Sequence, residues 1–308
     1  MTGKSLTERL AADDAGIARA IQLLRGGGLV ALPTETVYGL AARADSDAAV
    51  ARIYAAKGRP DFNPLIVHVA SVAQADELAE TDKTARELMA AHWPGPLTLV
   101  LPRRRDATLA GAVTAGLPTL ALRCPAHPAM QAVISALGAP LAAPSANRSG
   151  FVSPTTAEHV LATLEGRIDA VLDAGPTAAG LESTIVAVRE DGRIELLRPG
   201  PVMFEAQLGG GGIEAPGQLA SHYAPGKPLR LDADRAENGE FLIGFGAVPG
   251  ACSLSPAGDL EEAARRLYAC LHEAARAPHP RIAVAPVPAT GVGMAINDRL
   301  RRAATPAD

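Results

Sequence analysis

Apolar residues recur at helical spacing over 14–25, where Ile17, Ala20, Ile21 and Leu24 share one face, and Gly26-Gly27-Gly28 ends the pattern. Leu29-Val30-Ala31-Leu32 is a short unbroken apolar run stopped by Pro33, which reads as a buried strand. Ser46 is placed to cap a helix bearing Val50, Ile53 and Tyr54, and that helix ends near Lys57-Gly58. A strand is expected from Leu65 to Val69, and one helix over 74–91. Pro94-Gly95-Pro96 then breaks the pattern before Leu97 to Leu101. Further on, the pattern predicts a strand at Thr119 to Leu122, a helix at 127–137 and a strand at 140–143. Thr155 or Thr156 can cap a helix through Leu164, and strands follow at 169–172, 183–189 and 194–198.

Helices and strands do not alternate strictly. This predicts an α+β fold with a twisted mixed sheet, rather than a doubly wound parallel one. Residues 209–228 change character: Gly209-Gly210-Gly211-Gly212, Pro216-Gly217 and Pro225-Gly226 read as a linker. Beyond it, Phe241 to Phe245 and Ile282 to Ala285 suggest strands, and 259–276 and 292–303 suggest helices, the parts of a small α/β domain. The expected organisation is a domain at 1–208, a linker at 209–228 and a C-terminal domain at 229–308.

Composition narrows the chemistry. The 308 residues suit about two domains, and 48% apolar with 20% charged residues is globular composition. Aromatics are 3%, so the cores are aliphatic and a ring-rich platform for single-stranded nucleic acid is disfavoured. The net charge of −4 excludes a globally basic nucleic-acid binder but leaves room for a local basic pocket. Cys124, Cys252 and Cys270 show no paired spacing and read as free thiols of a reducing compartment. There is no signal peptide, and no apolar run approaches the roughly 20 residues of a membrane span. The expectation is a cytoplasmic protein with no membrane contact.

Three segments carry candidate chemistry, each with a plainer local reading beside it. Pro33-Thr34-Glu35-Thr36-Val37-Tyr38-Gly39-Leu40 sets hydroxyls straight after a buried strand, as a pocket wall or as a strand-end turn. Lys57-Gly58-Arg59-Pro60, with Asn63-Pro64 after it, flanks a glycine with two cations. That suits an anion, with the Arg fork and the Lys point charge converging, or a solvated helix end. Ala143-Pro144-Ser145-Ala146-Asn147-Arg148-Ser149-Gly150, followed by Ser153-Pro154-Thr155, suits an anion site fed by backbone N–H groups, or a capped turn. No GxxxxGK loop, GxSxG elbow or HExxH helix occurs, and the seven histidines form no metal set. His68, His127 and His222 read locally as structural histidines, so no protein-held metal is expected. Arg103-Arg104-Arg105 is a solvated turn or a weak RNA contact.

Taken in order, these segments resemble the YrdC-like family of threonylcarbamoyl-AMP synthases. The resemblance runs over about residues 14–205 through Pro33 to Leu40, Lys57 to Pro60, Pro94-Gly95-Pro96-Leu97-Thr98, and Leu122-Arg123 before Pro125 and His127-Pro128. It continues through Ser145-Ala146-Asn147, Ser149-Gly150, Ser153-Pro154-Thr155, Ser183-Thr184-Ile185-Val186 and Leu197-Arg198-Pro199-Gly200. Pro216-Gly217 and His222-Tyr223-Ala224-Pro225 resemble the longer subfamily, which has an additional C-terminal domain. Ala215, Leu219 and Ser221 depart from that subfamily's usual serine and basic residues.

The resemblance implies a mixed sheet with a large concave, positively charged cavity. It implies a reaction in which L-threonine, bicarbonate and ATP give threonylcarbamoyl-adenylate and pyrophosphate, with Mg²⁺ arriving on ATP. Partner proteins of tRNA modification then move the threonylcarbamoyl group to the adenosine beside the anticodon. By resemblance Lys57, Arg59 and Asn63 hold the nucleotide phosphates, with Lys57 and Arg59 catalytic, and Ser145, Asn147 and Ser153 complete that site. Thr119, Arg198 and Tyr223 contact the nucleotide, Tyr223 as part of a lid formed by the linker. Thr36, His68, Arg123, Ala143 and Ser183 surround threonine, Arg123 taking its carboxylate. Positioning and charge stabilisation are what phosphoryl-type transfer asks of a protein, so no Ser/His/Asp triad is expected. Two rivals remain: a hydrogenase-maturation carbamoyltransferase, which needs zinc-finger cysteine pairs and a longer chain, and a non-enzymatic RNA-binding module.

Overall fold

The computed structural model describes residues 6–306 apart from 190, 205, 207, 208, 210 and 211. The chain begins with β1 (Glu8–Ala11), α1 (Asp14–Arg25), β2 (Val30–Leu32), β3 (Gly39–Arg43), α2 (Asp47–Lys57) and β4 (Ile66–His68). It continues with α3 (Val72–Asp76), α4 (Lys83–His92), β5 (Leu97–Pro102), β6 (Thr119–Arg123), α5 (Pro128–Leu137) and β7 (Leu141–Ala142). Then come α6 (Ala157–Leu164), β8 (Ala170–Asp173), β9 (Thr184–Val188) and β10 (Ile194–Arg198).

Side-chain caps start the helices where the sequence pattern placed them. Ser46 accepts from the Ala49 amide, and Thr156, not Thr155, accepts from that of His159. Gly58 closes α2 in the left-handed conformation, at φ 60°. The helix expected over 74–91 is two helices. Asp82 caps α4 by accepting from the Ala85 amide, and the segment before it is used by the sheet: Ala79 bridges Arg103, and the Glu80 amide donates to the Pro102 carbonyl. The strands β1 and β3 are additions to the expected set. Gly39-Leu40-Ala41-Ala42-Arg43 has weak strand propensity, and pairing between β2 and β7 decides its conformation.

These strands form one mixed sheet in the order β1-β8-β2-β3-β7-β4-β6-β5-β9-β10, in line with the α+β expectation. One face packs Leu40, Val67, Leu99, Leu122 and Val186 against residues of α2, α4 and α6. The opposite face is divided. Its first half is covered by α1 and α5, through Ala20, Leu24, Met130 and Ile134. Its second half, with Ile66, Val100, Ala121, Ile185 and Leu197, is covered by Ala215 of the linker. The cavity lies along this divided face.

The rest of the chain holds β11 (Leu229–Arg230), β12 (Glu240–Gly244), β13 (Cys252–Ser253), α7 (Leu260–Arg276), β14 (Arg281–Val284) and α8 (Gly293–Ala304). Its four strands run parallel in the order β11-β14-β12-β13. Their core includes Leu267, Leu271 and Ile296 of the two helices, and it continues into Val37, Val152, Leu181 and Tyr223. The C-terminal domain is therefore docked on the loops that follow β2, β7 and β8, which are the loops that build the site.

Candidate active site

Lys57 is the last residue of α2 and is 3% exposed, so the solvated-helix-end reading of Lys57-Gly58-Arg59-Pro60 is corrected. Its Nζ donates to the carbonyls of Ser145 at 2.6 Å and Asn147 at 2.5 Å. Two motifs 88 residues apart are thus one structure. Gly58 turns the chain so that Arg59 folds back, donating from Nε to the Asn63 carbonyl and from Nη2 to the Pro64 carbonyl. Burial, then the neighbouring Arg59 charge, pulls the Lys57 ammonium well below its ordinary pKa. Burial likewise pulls Arg59 down to about 10. Asn63 and Asn147, both buried, each leave the side-chain Oδ1 without a partner among the described residues.

Arg198 arrives through an irregularity of register in β10, between Leu196 and Arg198. It donates to the Ser183 carbonyl from Nε and Nη2, to the Ser183 hydroxyl from Nη2, and to the Pro216 carbonyl from Nη1. Gly200 follows because a Cβ there would stand 2.4 Å from the Thr184 amide nitrogen. Ser183 also shares a hydrogen bond of 2.7 Å with Thr98, a residue given no role by sequence reasoning.

The opposite wall is built from the loop after β2. The Thr34 hydroxyl donates to the Val37 carbonyl and accepts from the Thr36 and Val37 amides, which locks the turn. Because that proton is committed, Thr36 is the donor in the hydroxyl pair with Thr34 and accepts from Arg123 Nη1 at 2.8 Å. Arg123 also donates from Nη2 to Glu35 at 2.7 Å and from Nε to the Gly95 carbonyl. Glu35, unassigned from sequence although inside the first motif, is thus the resident carboxylate partner of Arg123. Burial works to raise its pKa, but Arg123 outweighs burial and holds it below the ordinary value. Burial, and then the Arg123 charge, pulls His68 down to about 3, so its imidazole is neutral; its Nδ1 has no partner among the described residues.

Thr36, Arg59, His68, Arg123, Ala143, Ser145, Ser183, Arg198 and Tyr223 all line one cavity. Lys57, Asn63 and Asn147 stand directly behind that wall through the bonds above, and Ser153 through its bond to Glu182. Thr119 is outside the lining, at the start of β6 opposite Pro102, but alternation puts it on the same sheet face as Ala121 and Arg123.

The linker is part of the wall. Pro216, Gly217, His222 and Tyr223 reach the cavity, and the space left is about 40 Å³, enough for a few waters. Tyr223 is buried at φ 62°, in the left-handed region that non-glycine residues seldom enter, and the Ala224 amide ties it to the Gly150 carbonyl. Gly217, at φ 86°, lets the linker pass where a Cβ would stand 2.8 Å from the Tyr223 hydroxyl oxygen. Gly210 and Gly211, at the start of the expected linker, lie outside the described residues. Among the described residues no cluster of three or more His, Cys, Asp or Glu is placed to hold a metal.

A family model described as telomere recombination, covering Sua5, YciO and YrdC, matches residues 22–200. A second, described as the C-terminal domain of threonylcarbamoyl-AMP synthase, matches residues 193–305. The chain is 40% identical to a threonylcarbamoyl-AMP synthase of Bacillus subtilis, covering 97% of this chain and 96% of that one. It is 38% identical to the one from Pyrococcus abyssi, covering 92% of each. Its fold is similar to the crystal structure of Pyrococcus abyssi Sua5 complexed with L-threonine, with a TM-score of 0.89 at 36% identity over 97% of this chain and 98% of that one.

Proposed function

The chain belongs to the threonylcarbamoyl-AMP synthase family, in the form with the additional C-terminal domain, and we propose how its cavity performs that synthesis. Its activity is the formation of threonylcarbamoyl-AMP for tRNA modification. We assign residues 1–208 to the catalytic domain, 209–228 to a lid and 229–308 to the C-terminal domain.

The observation that carries the site assignment is a charge imbalance. Lys57, Arg59 and Arg198 are buried, and among the described residues their hydrogen bonds run to backbone carbonyls and one hydroxyl, none to a carboxylate, with Glu182 acting on Arg198 only through its field. Buried cations without counter-charge are costly, and a polyphosphate supplies that charge. ATP therefore sits against Lys57, Arg59, Arg198, Asn63, Ser145, Asn147 and Ser153, with Tyr223 over it and Thr119 at the far end of the same sheet face. Threonine sits at Thr36, His68, Ala143 and Ser183, its carboxylate on Arg123, which among the described residues keeps unused N–H donors beside Glu35. A neutral His68 next to Arg123 leaves the threonine amine free of an added positive neighbour.

In this reading the threonine amine takes up bicarbonate to form a carbamate with loss of water. A carbamate oxygen attacks the α-phosphorus, the bond to the β-phosphate oxygen breaks, and pyrophosphate leaves. Lys57, Arg59 and Arg198 exchange carbonyl oxygens for phosphate oxygens and stabilise the charge that builds during transfer. ATP would bring Mg²⁺ with it, to offset phosphate charge. Glu182, the carboxylate in the cavity wall, already accepts from Ser153, Tyr268 and Arg299 and offers no cage. A space of about 40 Å³ does not admit a nucleotide, so Pro216 to Tyr223 retreat for entry and close again to exclude water from the adenylate. Partner proteins of tRNA modification take the product in the cytoplasm. Among the described residues no helix is long and apolar enough to cross a membrane.

With ATP, Mg²⁺ and bicarbonate, purified protein is expected to release pyrophosphate only when threonine is present. Threonine-independent release, or none, would overturn the cavity reading.

A further inference from the structure

Glu182 lines the cavity but is bonded mainly from the other domain. Its Oε1 accepts the Ser153 hydroxyl at 2.5 Å. Its Oε2 accepts the Tyr268 hydroxyl at 2.7 Å and Arg299 Nε at 2.9 Å. Tyr268 is on α7 and Arg299 on α8, and both are 0% exposed. The Arg299 guanidinium also donates from Nη1 to Asp298 and lies over the Tyr223 ring, 5.4 Å from its centroid, while its Nη2 has no partner among the described residues. A hydroxyl has one proton, and Ser153 gives its proton to Glu182. The orientation of the Ser153 oxygen is thus set by a carboxylate that the C-terminal domain holds in place.

We propose that Arg299 is a positioning residue for ATP: with Glu182 it forms a latch that fixes the Ser153 hydroxyl on one side and seats Tyr223 on the other. The C-terminal domain is in this way a working part of the nucleotide site. A merely structural ion pair is the competing account, and one general principle and one observation separate them. A buried pair usually adds little net stability over apolar residues of the same volume, yet several bonds converging on one carboxylate specify geometry. The latch is also one-sided. Its side chains touch Ser153 and Tyr223, whereas Thr36, His68 and Arg123 make no hydrogen bond to it, and the hydroxyl of Ser183, its neighbour in the chain, is held by Thr98 and Arg198 instead. Burial favours protonation of Glu182, but Arg299, Arg198 and the hydrogen bonds from Ser153 and Tyr268 together bring its carboxyl down to about 2, so the latch is ionised at neutral pH.

The proposal rests on the assignment of Ser153 and Tyr223 to the nucleotide, and the experiment separates the two. In the full-length protein, pyrophosphate release is measured against ATP and against threonine for Glu182→Leu/Arg299→Met, for Arg299→Lys and for Ser153→Ala, with a thermal melt of each. The double variant is expected to melt close to the parent, with KM for ATP raised about tenfold and KM for threonine within about twofold. Arg299→Lys, which keeps the charge but not the planar face, is expected to raise KM for ATP about threefold and serves if the double variant does not fold. Parent-like KM for ATP in these latch variants, with Ser153→Ala raising it, overturns the latch alone. A parallel rise in both KM values with a lowered melt also overturns it, as general loosening. Ser153→Ala with an unchanged KM for ATP removes the nucleotide assignment and the latch with it.

Discussion

Two sets of buried charge meet at the cavity and are balanced in opposite ways. Lys57, Arg59 and Arg198 are cations held by neutral oxygens. Arg299 and Glu182 are a closed pair, with Asp298, Tyr268 and Ser153 completing the set. Lys57 and Arg59 keep their charge for something the protein does not contain, Arg198 stands between the sets because it also feels the Glu182 carboxylate, and Arg299 spends its charge inside the protein. Substitutions should therefore separate activity from stability in opposite directions at the two places.

The largest effect is expected where the closed pair is opened. Glu182→Leu alone leaves Arg299 buried without its main counter-charge and should lower stability by about 3–5 kcal/mol, read in a urea or thermal melt. A loss below about 1 kcal/mol would mean that Asp298 alone balances Arg299, and the two sets would then differ less than their geometry indicates. Lys57→Met should show the reverse profile. It removes an uncompensated buried charge and keeps the aliphatic stem, so the melt should stay level or rise, while kcat/KM for ATP falls about 10²–10³-fold. A destabilised Lys57→Met with near-parent activity would move Lys57 into the structural class.

The two sets were not equally legible in the sequence. Lys57-Gly58-Arg59-Pro60 and Ser145-Ala146-Asn147 stand out as motifs, but local pattern favours a solvated end for the first. What reverses it is the arrival of two carbonyls from the loop after β7, a tertiary fact that no window around residue 57 contains. The strand-and-helix frame was readable where period and caps were strong, as at α1, α2 and α7. It failed at 74–91, where the Asp82 cap and the bridge of Ala79 to Arg103 divide one helical pattern. Glu182 has a weak signal, being next to Ser183 in a quoted motif. Arg299 has none: it lies 117 residues from Glu182, on the last helix and in no motif. Families announce the residues that touch substrate, whereas residues that hold those residues appear only once the chain is folded.

Arg123 is intermediate between the two sets and sharpens the contrast. It is paired with Glu35, yet among the described residues three of its five N–H donors are used, by Gly95, Thr36 and Glu35. Arg123→Lys keeps the charge and loses the fork, and should raise KM for threonine about 10-fold or more, with KM for ATP within about twofold. The reverse ranking would place the threonine carboxylate elsewhere.

The smallest expected effect concerns the seam between the domains. His159 of α6 stacks on His272 of α7 at 3.8 Å between ring centroids, and His272 Nε2 is 3.1 Å from the Ser153 carbonyl. Arg276 and Glu158 also act on this pair. Burial leads in pulling His159 down to about 4 and His272 to about 3, against an ordinary 6.5, so both are neutral in the fold. The unfolded chain then binds more protons below pH 6.5. Stability supplied by the neutral rings is complete above that pH and is lost as pH falls toward 4 and then 3. Each ring adds at most about 1.4 kcal/mol per pH unit within its window. His272→Gln should flatten the fall of the melting temperature between pH 6.5 and 4.5, leaving KM for threonine at neutral pH unchanged. An unchanged slope would mean that the stack charges without opening the seam. The balance of charge at Glu182 and Arg299, rather than the histidines beside them, would then be what holds the C-terminal domain to the nucleotide site in acid.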